Sequence, residues 1–536
     1  MTTQQKIQQT ATNANADPDR APCLIALPGG LAVSGVARFA ARLAGGLAAQ
    51  GHPAGLILHA PPPGTAPLKI GLHPGVRVFD LGDQEPIESA QDPAAFVPAY
   101  RDAASQLGGG RPAALVLGQH AGTFAIAAAL SLGVPDAIRS IGVAHSDNGY
   151  DTPVLAHYQR ILAGLVGVSD RITASLHEAA PDATPRITRI PYGIEVPPAL
   201  ADRPPTGGRP SALLYAGRLE HRQKRVAALP LLSAELEARG VPHRLTIVGD
   251  GPAREDIRDA SRDSKMINIL PAATPAEIAA LLDSHDAFVL PSRFEGLSIA
   301  MLEALAHGCV PVVAPSRSGT AEAITQGVTG EIAACTPDDD EAAVAHALAD
   351  SIETLRRRDL AETATRCHAL ARDRFSIEHH LDAWNRLIDR AIHDEPRQWP
   401  LDRPCSFDSA SRSTPGPETF ETADAAERVK TLLRSIRREP VCVHGAGAHT
   451  LAIAHAIADA NIVAISDDDR QAHGSRFLGW TVIDPSQAAN AGASHVIISS
   501  RLHEPAIWAR RSVYEQQGLK VHRLYSQTSS PEAEDS

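Results

Sequence analysis

Two acidic side chains, Glu295 and Glu303, lie on either side of a helix start in the segment PSRFEGLSIAMLEALAHGCVPVVA. The residues Asp286–Leu290 before them are predicted as a buried strand, and Ser298 is a suitable N-cap for a helix through Leu305. Glu295 then lies in the loop above the strand, and Glu303 lies about a turn and a half into the helix. The spacing therefore predicts that both carboxylates reach one cleft.

The residues Gly296, Leu297 and Ser298 present backbone amides at the start of this predicted helix. Unpaired N–H groups and the positive end of the helix dipole converge at such a start, which favours an anion such as a diphosphate. A carboxylate further along can accept hydrogen bonds from two vicinal ribose hydroxyls, as in dinucleotide-binding folds. The segment is thus suited to bind a nucleoside diphosphate.

The elements that must position these groups form a repeated α/β pattern, in which short apolar runs alternate with longer amphipathic segments. In the first half the candidate strands are Cys23–Leu27, Gly55–Ala60, Ala114–Gly118, Ser140–His145 and Ile187–Gly193. In the second half they are Ser211–Leu219, Arg244–Gly251, Ile267–Ala272, Asp286–Ser292 and Val310–Ser316. Two such halves create a cleft at the carboxyl ends of their strands, where ligands bind.

The domain boundaries follow from proline- and glycine-rich stretches such as VPPALADRPPTGGRP. We predict a disordered segment at 1–21, Rossmann-like domains at 22–196 and 211–394, a connector at 197–210, a polar linker at 395–424, a third, smaller Rossmann-like domain at 425–526 and a tail at 527–536. The helix Ile377–Ile392 has apolar positions at helical spacing, and we expect it to serve packing.

Four motifs in the same order resemble the retaining GT-B glycosyltransferases of family 4, also called group 1. They are YAGRLEHRQKR, IVGDGP, the E-x7-E segment from Pro291 to Ala314, and GVTGEIA. The resemblance extends over 24–392 and is strongest in the second half. It implies the GT-B fold, with two Rossmann-like domains facing a cleft, and it implies that helix 377–392 crosses back onto the first domain.

The resemblance also implies site roles. Glu295 contacts hydroxyls of the transferred sugar, Glu303 binds the nucleotide ribose, and Arg218 and Lys224 bind the donor diphosphate. Fixed cations stabilise the charge that grows on a departing diphosphate, so no metal or other cofactor is expected. The alternative for Arg218 and Lys224 is a pair of solvated cations near a helix start.

Three residues of the first half are further candidates. Counting back from Gly51–His52 places the family's glycine pair on Ser34–Gly35, so Gly35 is the candidate for close approach to phosphate. His145 ends a predicted strand, where the resemblance implies an active-site histidine with a pKa near neutrality. His120 is a weaker candidate. For Gly35 the alternative is a loop that only ends a strand and has no ligand role. For the histidines it is a structural side chain whose hydrogen bonds are satisfied within a turn.

The implied function is retaining transfer of a hexose or related sugar from a nucleotide-diphosphate donor to a glycan or lipid-linked acceptor in cell-surface polysaccharide synthesis. The implied mechanism is a same-face reaction, and a covalent role for Glu295 is the alternative. Pro271 replaces a glycine that many relatives have in the base-binding loop, so the base stays open. A non-catalytic sugar-nucleotide-binding scaffold is the competing function.

The third domain contains VCVHGAGAHT, in which Gly445 and Gly447 match the first two glycines of a dinucleotide fingerprint and Thr450 replaces the third. Asp467, about twenty residues further on, lies where such folds place a ribose-binding acid. The sequence that follows, GSRFLGWTVIDPSQAANAGASHVIISSR, resembles the small Rossmann-like domains found in sugar-modifying acyltransferases and appended to some methyltransferases and glycosyltransferases. It predicts a second nucleotide site, with a structural or oligomerisation role as the alternative. Redox chemistry at this fingerprint is a further alternative.

Composition excludes several classes of function. The net charge of −12 argues against a nucleic-acid-binding surface, which needs a basic stripe. The six cysteines lie far apart without CxxC pairs, which argues against a zinc site or a disulfide framework. The acidic run 338–340 is interpreted as a helix cap, and the run 467–469 as a strand-end ribose site or an exposed turn, so no metal site is predicted. A polar N-terminus without a signal-like apolar region predicts a cytoplasmic protein, with peripheral attachment to the inner face of a membrane as an alternative.

Overall fold

The computed structural model describes the greater part of the chain. The described residues are 17, 19–32, 34–61, 70–84, 87, 93–147, 149–203, 209–403, 405, 407, 428–436, 439–445, 450, 453–457, 460–468, 473–474, 476–477, 480–499 and 504–524. They divide into two compact units, Met1–Phe407 and Asp408–Ser536.

The first unit begins with a seven-stranded parallel sheet, which with its helices is called the first lobe here. Its strands are β1 (Cys23–Leu27), β2 (Ala54–His59), β3 (Val76–Leu81), β4 (Ala113–Gly118), β5 (Ile138–Ala144), β6 (Leu162–Gly167) and β7 (Ile187–Arg189). Its helices are α1 (Gly35–Ala49), α2 (Val97–Gly108), α3 (Ala121–Gly133), α4 (Asp151–Tyr158) and α5 (Asp170–Ala179). The spatial order is β3-β2-β1-β4-β5-β6-β7. Strands β1, β2, β4, β5 and β6 are buried along their whole length, as expected for a parallel sheet with helices on both faces.

A six-stranded parallel sheet follows, and with its helices it is called the second lobe. Its strands are β8 (Ser211–Ala216), β9 (His243–Val248), β10 (Ile267–Leu270), β11 (Ala287–Leu290), β12 (Val310–Val313) and β13 (Glu331–Ile332). Its helices are α6 (Ala228–Ala238), α7 (Arg254–Ala260), α8 (Pro275–Ser284), α9 (Ile299–Ala306), α10 (Thr320–Ala323), α11 (Glu341–Arg356) and α12 (Leu360–Phe375). The spatial order is β10-β9-β8-β11-β12-β13.

Two chain segments cross between the lobes side by side. Ile194 donates its backbone N–H to Phe375 and accepts one from Ile377, each at 2.9 Å, in an isolated parallel bridge. Helix α13 (Ile377–Ile392) then packs on the first lobe, where Trp384 is buried against Phe39 with 5.9 Å between ring centroids. Helix 377–392 therefore returns to the first lobe and closes it.

The first part of the segment predicted as a polar linker, 395–424, packs against the first lobe. Trp399 is 1% exposed, and its backbone N–H donates to Ser131 Oγ at 3.0 Å. The ring of Trp399 lies 5.3 Å from that of Tyr158, whose hydroxyl donates to the Cys405 carbonyl at 2.7 Å. Burial of this large indole offsets the entropy lost on ordering the segment, so the described residues up to 407 pack on the first lobe.

The second unit contains a further, smaller α/β sheet. Its strands are β14 (Val441–His444), β15 (Ile462–Ser466), β16 (Arg476–Phe477), β17 (Trp480–Ile483), β18 (His495–Ile498) and β19 (Lys520–His522). Its named helices are α14 (Ala454–Ile457), α15 (Glu504–Ala509) and α16 (Ser512–Glu515), and 428–435 is also helical. The order is β16-β17-β15-β14-β18-β19, and only the β16–β17 pairing is antiparallel. The predicted α/β class is confirmed for all three sheets.

Candidate functional site

The loop after β11 has the predicted geometry. Ser298 has extended backbone angles, and its side chain accepts the N–H of Met301 at 3.4 Å, so α9 begins at Ile299. The helix ends at Ala306, and Gly308 follows with a φ of +66°. The amides of the loop consequently stand at the positive end of α9, at the carboxyl edge of the second sheet.

Gly296 brings this loop against the first lobe. A Cβ atom at Gly296 would lie 2.0 Å from the carbonyl oxygen of His145, at the end of β5. No side chain fits in that space, since real Cβ contacts are longer than about 3 Å. The Ser318 hydroxyl donates to the Gly296 carbonyl at 3.0 Å and fixes the loop from the other side. Glycine is therefore required where the two lobes meet.

The start of α1 faces the same cavity from the first lobe. Ser34 is the N-cap of α1, and its hydroxyl accepts the N–H of Ala37 at 3.0 Å. A Cβ at Gly35 would be 3.8 Å from the Ile299 side chain of α9. Thus Ser34, which departs from the family's glycine pair, has a capping role, and two helix N-termini approach one cavity.

Lys224 and Glu295 form an ion pair in the second lobe. Their Nζ and Oε1 atoms are 2.5 Å apart, and Gln223 Nε2 donates to the other carboxylate oxygen at 3.4 Å. The Glu220 carboxylate accepts the backbone N–H of Lys224 at 2.6 Å, which holds the Lys224 loop in place. Burial and pairing fix the Glu295 carboxylate in the cavity wall.

Arg218 lies on the same loop, with a different environment. Arg218 is exposed, and its backbone carbonyl accepts a hydrogen bond from the Tyr215 hydroxyl at 2.8 Å. Within the part of the chain that the structure describes, its guanidinium has no hydrogen bond or ion pair. Arg218 is therefore a cation available to a ligand at the cavity edge.

Glu303 makes contacts that sequence reasoning did not predict. Arg38 Nη1 lies 3.2 Å from Oε1 and 3.0 Å from Oε2 of Glu303, and Arg42 Nη2 donates to Oε1. Both arginines belong to α1, so the ion cluster crosses from one lobe to the other. Their spacing of four residues places them on one helix face, which is the sequence signal that could have indicated them.

His145 is neutral, which corrects the pKa near neutrality expected from the sequence. Burial lowers the pKa of His145 to about 3 because the charged form loses solvation. Its Nδ1 lies 2.9 Å from the Tyr192 hydroxyl, and the two rings are stacked with 6.0 Å between centroids. The histidine is thus a fixed, uncharged hydrogen-bonding group.

Asp151 organises the loop that carries His145, and sequence reasoning missed it. Its Oδ2 accepts the backbone N–H groups of His145 and Ser146 at 2.7 and 2.9 Å. Burial raises the pKa of Asp151 to about 6, although these two hydrogen bonds favour the charged form. The acidic residue at the start of α4 was the available signal, since such residues often bind amides of the preceding turn.

His120, the weaker candidate, is a structural residue. It is the N-cap of α3, and its Nδ1 accepts the N–H of Gly122 at 3.1 Å. The cavity lining instead includes its neighbour Gln119, which has an unusual φ of +67°. A strained non-glycine residue beside a cavity is often part of a functional site.

One cavity of about 470 Å³ between the lobes unites the predicted residues. Its wall includes Gly35, His145, Arg218, Lys224, Glu295, Gly296, Leu297, Ser298 and Glu303. The wall also contains Ala272 and Ala273, which follow Pro271 at the end of β10. Apart from His120, the residues predicted for the first site therefore line one cavity.

The predicted second site is described only in part. Gly445 follows β14 with a φ of +118°, and Asp467 follows β15. The Thr450 hydroxyl donates to the Gly445 carbonyl at 2.5 Å and bonds with Ser499 Oγ at 2.7 Å. Gly447 lies outside the described residues. Strand order reverses between β14 and β18, so Gly445 stands beside the switch point of this sheet.

Two kinds of feature are absent from the residues that the structure describes. No helix there has the length and apolar character needed to cross a membrane. No group of three or more His, Cys, Asp or Glu side chains there is arranged to hold a metal ion.

Comparison with known proteins places these observations in a family context. Residues 210–354 match the family model described as "Glycosyl transferases group 1". A glycogen synthase of Mycobacterium tuberculosis is 36% identical over 161 residues, which are 28% of this chain and 37% of the relative. The chain thus matches well under half the length of that relative.

Solved structures extend the similarity to both lobes. Sucrose-phosphate synthase of Thermosynechococcus elongatus has a TM-score of 0.55 at 17% identity, over 69% of this chain and 99% of that one. The HepE protein of Anabaena, solved with UDP and glucose, has a TM-score of 0.52 at 16% identity, over 69% and 100%. The chain has the GT-B fold, and its second lobe matches the group 1 glycosyl transferases.

Proposed function

We propose that the protein is a retaining glycosyltransferase that takes a sugar from a nucleotide-diphosphate donor. The observation that carries the proposal is the convergence of Lys224, Glu295 and Glu303 with two helix N-termini in one cavity. The group 1 match over the second lobe and the GT-B fold support it. The family 4 assignment, which is finer than the match, is part of the proposal.

The donor diphosphate binds between cations and helix amides. Arg218 and Lys224 supply positive charge, and Gly296, Leu297 and Ser298 supply backbone N–H groups at the start of α9. Gly35 permits close approach from α1. These groups stabilise the negative charge that grows on the diphosphate as the glycosidic bond breaks, and no metal ion is needed for this.

The two acids bind the sugars on either side of the diphosphate. Glu295 accepts hydroxyl groups of the transferred hexose, with Lys224 holding its carboxylate in place. Glu303 accepts the ribose hydroxyls of the nucleotide. His145, uncharged at neutral pH, hydrogen-bonds the sugar or orients the acceptor.

The reaction proceeds on one face of the sugar. The C1–O bond to the diphosphate breaks, and the acceptor oxygen bonds to C1 from the same side. The acceptor proton passes to the departing phosphate oxygen. The protein contributes orientation and electrostatic stabilisation. Covalent catalysis with Glu295 as the nucleophile is the alternative mechanism.

The acceptor is a glycan or lipid-linked saccharide, and the process is cell-surface polysaccharide synthesis in the cytoplasm, with the protein peripheral at the inner face of the membrane. UDP-sugars are the first donors to test, since the Anabaena structure holds UDP and glucose.

The test is release of nucleoside diphosphate from a panel of nucleotide sugars in the presence of saccharide acceptors. We expect release with one donor, unchanged by excess chelator, and strongly reduced in Lys224→Ala and Glu303→Ala. The exposed Lys265 provides the matched control Lys265→Ala. Binding of the donor without any release would favour a non-catalytic scaffold, and equal release by all variants would refute the site.

For the second unit we propose a nucleotide site at the loop of Gly445 and Gly447, with Asp467 binding a ribose. The glycine conformation beside the switch point supports this proposal. Equilibrium binding to the full chain should show two nucleotide sites, and Asp467→Asn should weaken one of them only. A single site in the wild-type protein would refute it.

A further inference from the structure

The ion cluster of Glu303, Arg38 and Arg42 leaves too few acceptor positions for a ribose. A carboxylate has about four lone-pair positions. Three are occupied here, two by Arg38 Nη1 at 3.2 and 3.0 Å and one by Arg42 Nη2. Two ribose hydroxyls require two positions. If Glu303 binds ribose, as in the proposed function on which this inference rests, at least one arginine contact must break.

The structure indicates which arginine moves. Arg38 lines the cavity and Arg42 does not. Arg42 also has a buried Nη1 without a hydrogen-bond partner among the described residues, so its guanidinium is enclosed by protein. Arg38 has the longer contacts to Glu303 and the more exposed side chain. Displacement of Arg38 therefore requires less rearrangement than displacement of Arg42.

The position of Arg38 within α1 favours an anion beside it. Its backbone N–H donates to the carbonyl of the N-cap Ser34 at 3.2 Å, and no acidic residue lies in the first turn. A cation near a helix N-terminus opposes the macrodipole and is therefore destabilised there. The same helix start approaches the loop of Gly296 and Ser298 across the cavity. A diphosphate there would compensate both the charge of Arg38 and the positive end of the α1 dipole.

We propose that Arg38 changes partner when the donor binds. Without nucleotide it pairs with Glu303 and joins the lobes. With nucleotide, the ribose takes its place on Glu303, and the guanidinium binds the donor diphosphate as a third cation beside Arg218 and Lys224. Arg42 stays on Glu303 and orients its carboxylate. Arg38 is thus a diphosphate-binding residue supplied by the first lobe.

The test compares the nucleoside diphosphate UDP with the nucleoside uridine, each measured by equilibrium binding to the full chain. Arg38→Gln should weaken diphosphate binding tenfold or more, while nucleoside binding stays equal or becomes tighter because Glu303 is released. Arg38→Lys should retain most of the diphosphate affinity. Arg42→Gln is the matched control, and it should weaken both ligands by a similar factor because it disturbs Glu303 alone.

Other results would overturn the proposal. If Arg38→Gln binds the diphosphate as tightly as the wild type or more tightly, Arg38 only joins the lobes. If Arg38→Gln weakens both ligands equally, its role is structural. A wild-type protein that binds no nucleoside diphosphate at all would refute the proposed function itself, which distinguishes the two failures. The thermal unfolding midpoint of each variant shows whether it is folded.

Discussion

The Nζ atom of Lys224 lies 2.5 Å from Oε1 of Glu295, and the two side chains are only 20% and 9% exposed. Lys224 follows β8 and Glu295 follows β11, two neighbouring strands of the second sheet. Neither charge is well placed without the other, because a buried charge that loses its partner is strongly destabilised. The two residues should therefore act as a unit on the donor.

This coupling predicts non-additive effects. Lys224→Met and Glu295→Gln should each lower the rate of nucleoside diphosphate release by about 10²–10³, the range for loss of one preorganised electrostatic group. The double variant should be little worse than either single variant, so the interaction energy should be about 3–4 kcal/mol, close to the effect of one single variant. Initial rates with one donor measure the cycle. Lys265→Met combined with Glu295→Gln is the control and should be additive, and additivity for the Lys224 pair would contradict the coupling.

The second lobe was largely predictable from its sequence because its chemistry is local. Ser298 caps α9 and Gly308 follows its end, as expected, since both depend on neighbouring residues. The cluster of Arg38 with Glu303 was not predictable, because it joins residues 265 positions apart through the packing of two lobes. The prediction of a pKa near neutrality for His145 was wrong for a similar reason, since burial depends on tertiary packing. Trp399 likewise showed its role only in contact with the first lobe.

Protonation of Asp151 should cause kcat/KM to fall at acidic pH. Its charged form accepts the amides of His145 and Ser146, and burial raises its pKa to about 6. As the pH falls below about 6, the carboxyl becomes protonated and the loop loses acceptors, so kcat/KM should fall. Burial lowers the pKa of His145 to about 3, so His145 does not account for this fall. Asp151→Asn should make kcat/KM less dependent on pH in this range, and an unchanged pH dependence in that variant would contradict the assignment.

Whereas activity should fall as the pH falls, the contribution of Asp151 to the free energy of unfolding should increase. The folded-state pKa of about 6 lies above the ordinary value of 3.8, so the folded protein binds the proton more tightly. The contribution of Asp151 to stability is therefore largest below about pH 3.8, and it is lost as the pH rises through about 6. Thermal unfolding midpoints of the wild type relative to Asp151→Asn, measured at pH 5 and pH 7, should show a larger relative stability at pH 5. A constant difference would contradict this prediction.

Gly296→Ala should separate the lobes without unfolding the chain. The added Cβ would lie 2.0 Å from the His145 carbonyl oxygen, which is backbone and cannot move away alone. We expect kcat/KM to fall about tenfold or more, since a small displacement of reacting groups has effects of this size. Gly133→Ala is the matched control, because its Cβ would meet no atom within 4 Å. Wild-type kinetics in Gly296→Ala would show that the lobes do not need this contact.

Glu322 should help to exclude water from the cavity, because it joins the lobes at a second place. Its Oε1 accepts the backbone N–H of Asp170 at 2.7 Å, and its Oε2 accepts Arg189 Nη2 at 2.9 Å. Glu322→Gln keeps the shape and removes the charge, which should weaken closure by about 1.5 kcal/mol, or roughly tenfold in the ratio of open to closed protein.

Because closure limits water access, hydrolysis of the donor without acceptor should increase relative to transfer. The ratio of nucleoside diphosphate released without acceptor to that released with acceptor measures the effect. Glu353→Gln is the matched control, since Glu353 pairs with Arg239 inside the second lobe at 3.0 Å. Removal of the Glu353 charge should leave the ratio of release without acceptor to release with acceptor unchanged. If both variants raised the ratio equally, the effect would come from general destabilisation, and the role of Glu322 in closure would be refuted.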